Sequence, residues 1–351
     1  MSKIKVKEYV DSLAVSAQAV VDGEKLKKKR ILVTGATGLI GSAIVDTLLY
    51  MNETMGYDMT VLAAGRTLSK LEKRFGEQKN GLEYIRYDAG QTFEEIKGAD
   101  YVIHCASNAH PAAYVRYPVE TMTANINGTL QLLEYIRRNR RGRLVFVSSS
   151  EVYGEKKNTN LYVESDSFYL DYLNPRACYP AGKRAAEALC SCYLEEYQVD
   201  SVIVRPGHIY GPTMTGEDSR AYAQFARNVL DHQDIIMKSD GEQLRSYCYV
   251  MDCVSAILSV MVSGKSGEAY NISNRDSVVT IRQLAQAFAE ESGRKICFQI
   301  PEDREKKGYN LMSCSALNSE KLESLGWKGQ YNLQEGVSSM LKIMTAQREN
   351  G

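Results

Sequence analysis

Short unbroken apolar runs alternate along this chain with stretches in which apolar side chains recur every three or four residues. Ile31, Leu32 and Val33 form the first run. Runs of that kind make strands buried on both faces. Similar runs predict strands over 60–64, 82–87, 101–104, 144–147 and 201–204. Helical periodicity fills the gaps. It begins at Ser42, with Ala43, Ile44, Leu48 and Leu49 on the apolar side, and returns over 119–138 and about 180–196. Alternation of this sort predicts an α/β fold with a doubly wound parallel sheet.

Beyond residue 204 the pattern loosens. Its strongest signals are 241–252 (GEQLRSYCYVMD), a helix near 281–292 and a closing helix after Asn332. Residues 250–261 and 270–273 read as a helix and a strand that return to extend the sheet. Ahead of the first strand, Val10, Leu13, Ala14, Ala17, Val20 and Val21 predict a short amphipathic helix, packed on the outside of the domain or used in a dimer contact.

Composition narrows the function classes. Lys+Arg and Asp+Glu both number 43 in 351 residues, so no global charge favours nucleic acid. The basic run 137–143 falls at a helix C-terminus, where it complements the dipole. Eight cysteines are scattered without a CxxC, which argues against a disulfide scaffold or zinc site and for a reduced cytoplasm. No apolar run approaches the roughly 18 residues of a membrane helix, and the polar N-terminus is no signal peptide. His104, His110 and His232 show no ligand spacing, and no metal is assigned.

The chemistry starts where the first strand ends. Glycines stand at 35, 38 and 41, between Thr34 and the helix that follows. Such a turn lets backbone amides approach a pyrophosphate at the helix N-terminus. Gly35, Thr37, Gly38, Leu39, Ile40 and Gly41 are therefore candidate contacts for a dinucleotide. The strand over 60–64 runs into Gly65-Arg66, with Lys70 one turn on. An acid at this point binds the ribose of NAD, whereas an arginine accommodates the 2′-phosphate of NADP. Arg66 leaves both open. Asp88, with Ala89, is a candidate for the adenine edge. The small-residue turn Cys105-Ala106-Ser107 lets the cofactor lie against the backbone, and Asn125 faces the same region from the helix over 119–138.

Tyr179 and Lys183, four residues apart at the start of a helix, share one face. A lysine cation beside a phenol favours the phenolate, bringing it toward general-base duty. Ser149 lies just past the strand over 144–147, at the carboxyl edge where open α/β sheets bind ligands. Serine, tyrosine and lysine around one hydroxyl can remove its proton while a nicotinamide takes the hydride.

These motifs carry a resemblance. TGATGLIG at 34–41, HCAS at 104–107, NINGT at 125–129, SSSEVYG at 148–154, YPAGK at 179–183, RPGHIYGP at 205–212, RSYCYVMD at 245–252 and LGW at 325–327 occur in the order and spacing of the extended short-chain dehydrogenase/reductase family. The chain resembles that family's nucleotide-sugar epimerase/dehydratase branch, and within it the UDP-glucuronate decarboxylases. The resemblance implies a Rossmann-type sheet with a smaller C-terminal substrate-binding lobe. It divides the chain into a helical extension (1–29), an NAD(P)-binding domain (30–206 plus about 251–290) and a nucleotide-sugar lobe (about 207–250 plus 291–351).

It further implies Ser149, Tyr179 and Lys183 as the oxidising triad, with Glu151 catalytic and Ser150, His208 and Arg245 toward the substrate. The implied reaction oxidises the C4 hydroxyl of a sugar with bound NAD to a keto intermediate; decarboxylation, epimerisation or dehydration follows, with decarboxylation favoured. A homodimer through the helices over 119–138 and 180–196 is implied as well, with a UDP-linked sugar as substrate and neither nucleic acid nor membrane as partner. The chain departs from the decarboxylases at Arg66, where they carry an acid, and at His208, where the family carries asparagine. Arg66 and Lys70 keep a second reading alive, an NADP(H)-dependent reductase or dehydrogenase of a nucleotide-linked sugar or polyol. A non-enzymatic dinucleotide sensor would carry a degraded triad, and this triad is intact.

Overall fold

In the computed structural model, which describes residues 6–91, 96, 98–109, 111–156, 158–299 and 312–349, the apolar runs become neighbouring parallel strands. They are β1 (Arg30–Thr34), β2 (Thr60–Gly65), β3 (Leu82–Arg86), β4 (Tyr101–His104), β5 (Arg143–Val147) and β6 (Ser201–Pro206). Three short strands follow: β7 (His208–Tyr210), β8 (Ile235–Met237) and β9 (Leu244–Tyr249). Then β10 (Ala269–Ile272) rejoins the sheet beside β6. Across the sheet the order is β3-β2-β1-β4-β5-β6-β10. The order reverses at β1, so the crevice between the carboxyl ends of β1 and β4 is where such a sheet takes a ligand.

Successive side chains point to opposite faces of a strand, and β1 divides accordingly. Ile31 and Val33 enter one apolar cluster, Leu32 the other. The first is covered by α1 (Lys7–Gln18), α2 (Leu39–Met55) and, later in the chain, the helix at Val250–Ser263. Against the opposite face lie a helix at Pro118–Asn139 and another at Cys178–Tyr197. In chain order the helices after α2 are α3 (Leu68–Phe75), α4 (Pro111–Arg116), α5 (Pro118–Asn139), α6 (Cys178–Tyr197), α7 (Ala221–Leu230), α8 (Val250–Ser263), α9 (Ile281–Ser292), α10 (Glu320–Glu323) and α11 (Leu333–Glu349).

The N-terminal helix packs into the domain. Tyr9 is fully buried, its hydroxyl donates to Asp46 Oδ2 at 2.7 Å, and Asp46 also pairs with Arg74. Ser16 Oγ donates to the Met251 carbonyl at 2.8 Å, tying α1 to α8.

The later strands form smaller sheets. β9 pairs with β7, with β11 (Val278–Thr280) and with β13 (Cys314–Ser315), and β8 pairs with β12 (Ile296–Phe298). Residues 251–290 do not stay together. α8 and β10 join the parallel sheet, whereas α9 packs on α7 and α11. Leu284, Ala285 and Phe288 make its buried face, and the Phe288 ring meets Phe225 of α7 edge-on at 6.1 Å. His110 lies outside the described residues.

Candidate active site

The glycine turn between β1 and α2 is shaped by what it excludes. Gly35 has φ +65°, and a Cβ there would stand 2.8 Å from the Ala106 nitrogen. A Cβ on Gly41 would stand 2.3 Å from the Gly35 carbonyl oxygen. The β1 and β4 turns therefore pack backbone to backbone, a closeness that only glycine permits. Gly38 stands at the N-cap of α2 and brings no side-chain cap. The first amides of a helix lack intrahelical acceptors, so this end is fitted to an anion. The cradle fits the pyrophosphate of a dinucleotide.

One cleft gathers Gly35, Gly38, Leu39, Ile40, Gly41, Cys105, Ser107, Ser149, Ser150, Glu151, Tyr179, Lys183 and His208. Thr37 and Ala106 belong to the two turns that frame it. Asn125 acts through Ser107, whose hydroxyl donates to Asn125 Oδ1 at 2.9 Å. Asp88 follows β3 and caps its own turn, accepting from the Gly90 amide at 3.0 Å. Ala89 is buried against Gly128 of α5. Arg66, at the end of β2, is exposed, with Glu120 3.6 Å away.

Tyr179 and Ser149 line the cleft together, and the Ser149 hydroxyl favours the phenolate. Lys183 is buried, and its Nζ donates to the Val147 carbonyl at 2.7 Å. The expected depression of the phenol is not found. Burial, with help from the Glu151 carboxylate, pushes Tyr179 up to about 12. Burial also brings the Lys183 amine down to about 8. The reason is geometric: the ammonium is turned onto the β5 carbonyl and lies 5.8 Å from the Tyr179 ring centroid. In this arrangement the amine gives up its proton before the phenol does.

Three groups facing the cleft carry no periodic signal in the sequence. Tyr114 of α4 stacks on Tyr179 with ring centroids 4.7 Å apart and planes at 16°. The Arg176 guanidinium lies over the other face of that stack, 4.6 Å from the Tyr114 centroid, and forks onto Glu151. Arg220 is held by Asp218, Nε to Oδ1 at 2.9 Å. Arg176 lies just ahead of the YPAGK motif at 179–183 and outside it. The short polar stretch before α7 gives no sign of Arg220.

His208 keeps a neutral ring. Burial lowers it well below its ordinary range, and the Arg245 and Arg220 guanidiniums act the same way. Its Nδ1 is buried with no partner among the described residues. Arg245 sits behind the cleft wall on β9, donating to the Leu244 and Met312 carbonyls at 2.9 and 2.8 Å. His104 is a structural residue: its Nδ1 lies 2.8 Å from Thr34 Oγ1, and burial lowers it to about 3.

The sequence profile of the family described as "NAD dependent epimerase/dehydratase family" matches residues 31–273. A protein of Arabidopsis thaliana named UDP-glucuronic acid decarboxylase 6 is 31% identical over 320 residues, covering 89% of this chain and 87% of that one. UDP-glucuronic acid decarboxylase 1 of Xenopus tropicalis is 28% identical over 330 residues, covering 92% and 74%. Among solved structures, the UDP-glucose 4-epimerase of Thermus thermophilus in complex with NAD aligns with a TM-score of 0.72 and 27% identity, over 90% of this chain and 98% of the other.

Proposed function

Since this chain belongs to the NAD dependent epimerase/dehydratase family, we propose that it is an NAD-dependent enzyme converting UDP-glucuronate to the corresponding UDP-pentose. The observation that carries the reading is the meeting of Ser149, Tyr179, Lys183 and Glu151 in one cleft with the glycine cradle. The curated relatives named above support the substrate.

Bound NAD supplies the acceptor for the C4 hydride and its later donor. Gly35, Gly38 and Gly41 would leave room for its pyrophosphate, and the open end of α2 would hold it. In its phenolate form Tyr179 takes the proton of the C4 hydroxyl, and Ser149 orients that hydroxyl. With C4 a ketone, the C6 carboxylate is β to a carbonyl. The C5–C6 bond breaks, its electron pair passes to the enolate at C4–C5, and CO2 leaves. A proton returns to C5, and we assign Glu151 to its handling. The proton held by Tyr179 returns to the C4 oxygen as the ketone is reduced, so the net change is CO2 out and one proton in. We assign His208, Ser150 and Arg220 to the nucleotide side, where a guanidinium suits a diphosphate; Arg245 supports that wall from behind.

The experiment is incubation with UDP-glucuronate and mass spectrometry of the product. A UDP-pentose with released CO2 supports the reading, and unchanged or epimerised substrate overturns it. Arg66 favours a second reading, NADP(H)-linked reduction, because no acid stands at the end of β2. Identification of the nucleotide released from the purified chain separates the two.

We extend the proposal to a homodimer through α5 and α6, supported by exposed apolar side chains on α5: Val119 at 75% and Met122 at 39%. The domain division follows the chain as NAD-binding (30–206 with α8 and β10) and nucleotide-sugar-binding (the rest beyond 206). No helix among the described residues is long and apolar enough to cross a membrane. A cytoplasmic setting is proposed from the eight cysteines, all of them free thiols.

A further inference from the structure

We infer that Glu187, clamped by Arg205, is a positioning residue that sets Ser149 and Lys183 for removal of the substrate proton. The inference rests on the roles given to those two residues above. Glu187 follows Lys183 by four residues on α6, so the two share a helix face. Its Oε1 accepts from Ser148 Oγ at 2.5 Å and from Arg205 Nε at 3.0 Å; its Oε2 accepts from Arg205 Nη2 at 2.7 Å. Both partners of the ion pair are nearly buried, with side chains 13% and 11% exposed.

The bonds continue past Arg205. Its Nη1 donates to the Tyr153 hydroxyl at 3.0 Å and to the Glu164 carbonyl at 2.8 Å. The Tyr153 hydroxyl donates to Asn271 Oδ1 at 2.5 Å. A single network thus ties α6, the carboxyl ends of β5 and β6, the turn Ser150–Tyr153 and β10. Such networks fix geometry when every member is satisfied.

Ser148 is the link to the chemistry. Ser149 has an extended backbone, φ −164° and ψ 154°, and neighbours in extended chain project to opposite sides. With Ser148 anchored on Glu187, the Ser149 hydroxyl is turned toward Tyr179. The same carboxylate acts on the charge at Lys183, where burial disfavours the ammonium and Cys105 and Glu187 favour it. The groups facing that amine are Tyr179 and Glu187 on α6 and His104 and Cys105 at the end of β4. Burial holds His104 neutral and pushes the Cys105 thiol up to about 12. The carboxylate facing Lys183 is then that of Glu187, working against the burial that lowers the amine.

The test replaces Glu187 by Gln in the full chain, keeping shape and an acceptor oxygen while removing the charge. Lys183 is followed by 15N NMR of lysine-labelled protein, with Lys183→Met identifying its signal. We expect its titration midpoint to fall by about one pH unit or more, the effect of losing a neighbouring opposite charge. In a single turnover with UDP-glucuronate at pH 8, cofactor reduction should slow at least about tenfold while KM stays within about threefold, the split of a group felt in the transition state. If Glu187→Gln does not fold, the pair Glu187→Gln with Arg205→Gln avoids leaving a buried unpaired cation, and the same midpoint shift is expected. An unchanged midpoint or an unchanged rate in a folded variant overturns the inference. A shifted midpoint in a chain that never reduces its cofactor with UDP-glucuronate overturns the substrate reading and upholds the role of Glu187 at Lys183.

Discussion

The Arg176 guanidinium meets the Glu151 carboxylate end-on, Nη1 to Oε2 at 3.0 Å and Nη2 to Oε1 at 3.1 Å. A fork of this kind fixes orientation as well as charge. Arg176→Lys keeps the charge and loses the fork. We expect cofactor reduction to persist while product release of CO2 slows about tenfold, on the scale of a mispositioned acid–base group. Removing one partner of a buried pair costs about 3–5 kcal/mol. With side chains 17% and 21% exposed, Arg176→Met should lie at the lower end. Thermal unfolding measures the second effect, and rapid-quench product analysis the first.

Tyr179→Phe keeps the ring that stacks on Tyr114 and removes the proton acceptor. Cofactor reduction should fall roughly 10²- to 10⁴-fold, the scale of a lost general base, with nucleotide-sugar binding retained. Absorbance of the reduced nicotinamide during a single turnover decides it, and a rate equal to that of the unaltered chain would remove Tyr179 from its role.

Lys183 gives a pH prediction. Its amine, about 8 in the folded chain, lies below the ordinary 10.5. Between those values the unfolded chain binds more protons than the folded one, so this group makes stability rise with pH across about 8 to 10.5. Below that window the buried charge is a cost of about 3 kcal/mol, at about 1.4 kcal/mol per unit. Lys183→Met removes it. The variant's advantage in melting temperature should therefore be largest near pH 7 and shrink toward pH 10; a constant difference across that range contradicts the assignment. Loss of activity and weaker cofactor binding are expected alongside.

The sheet was readable because its strands are buried on both faces and so appear as apolar runs, and the cradle because steric exclusion demands glycine at 35 and 41. Tyr179 and Lys183 were readable because a helix puts residues four apart on one face. Arg176, Arg220 and Tyr114 were not, since each reaches the cleft from a loop or short helix whose path is set by tertiary packing. The direction of the Lys183 ammonium was hidden for a related reason. Spacing brings it near Tyr179, but the Val147 carbonyl that captures it comes from another element. Similarly, α9 has a clear amphipathic pattern, yet nothing in that pattern says that its apolar face meets Phe225 rather than the sheet.

Tyr9 tests whether the N-terminal helix belongs to the folded domain. Its hydroxyl reaches Asp46 from a fully buried ring. Tyr9→Phe should cost about 1.5–3 kcal/mol, the range for a hydrogen bond to a charged group, with no change in cofactor content. Denaturant unfolding measures it, and an unchanged midpoint would mean that Arg74 alone satisfies Asp46.

The cradle makes the last prediction, through three alanine substitutions. At Gly41 a Cβ would fall 2.3 Å from the Gly35 carbonyl oxygen and 2.9 Å from its carbon, both backbone atoms that cannot swing away. Relief requires the β1 turn to move off the start of α2, which opens the site proposed for the pyrophosphate. At Gly56 nothing lies within 4 Å, but φ is +65°, so alanine meets backbone strain without a clash; this costs roughly 1–2 kcal/mol. At Gly216 there is neither a neighbour within 4 Å nor a left-handed φ, and alanine should be neutral or slightly stabilising. Gly41→Ala should therefore lose bound NAD, Gly56→Ala should keep it in a less stable chain, and Gly216→Ala should match the unaltered protein. Calorimetric titration with NAD and thermal unfolding read the two effects separately. Retention of full NAD affinity by Gly41→Ala would show that the dinucleotide does not rest on this turn.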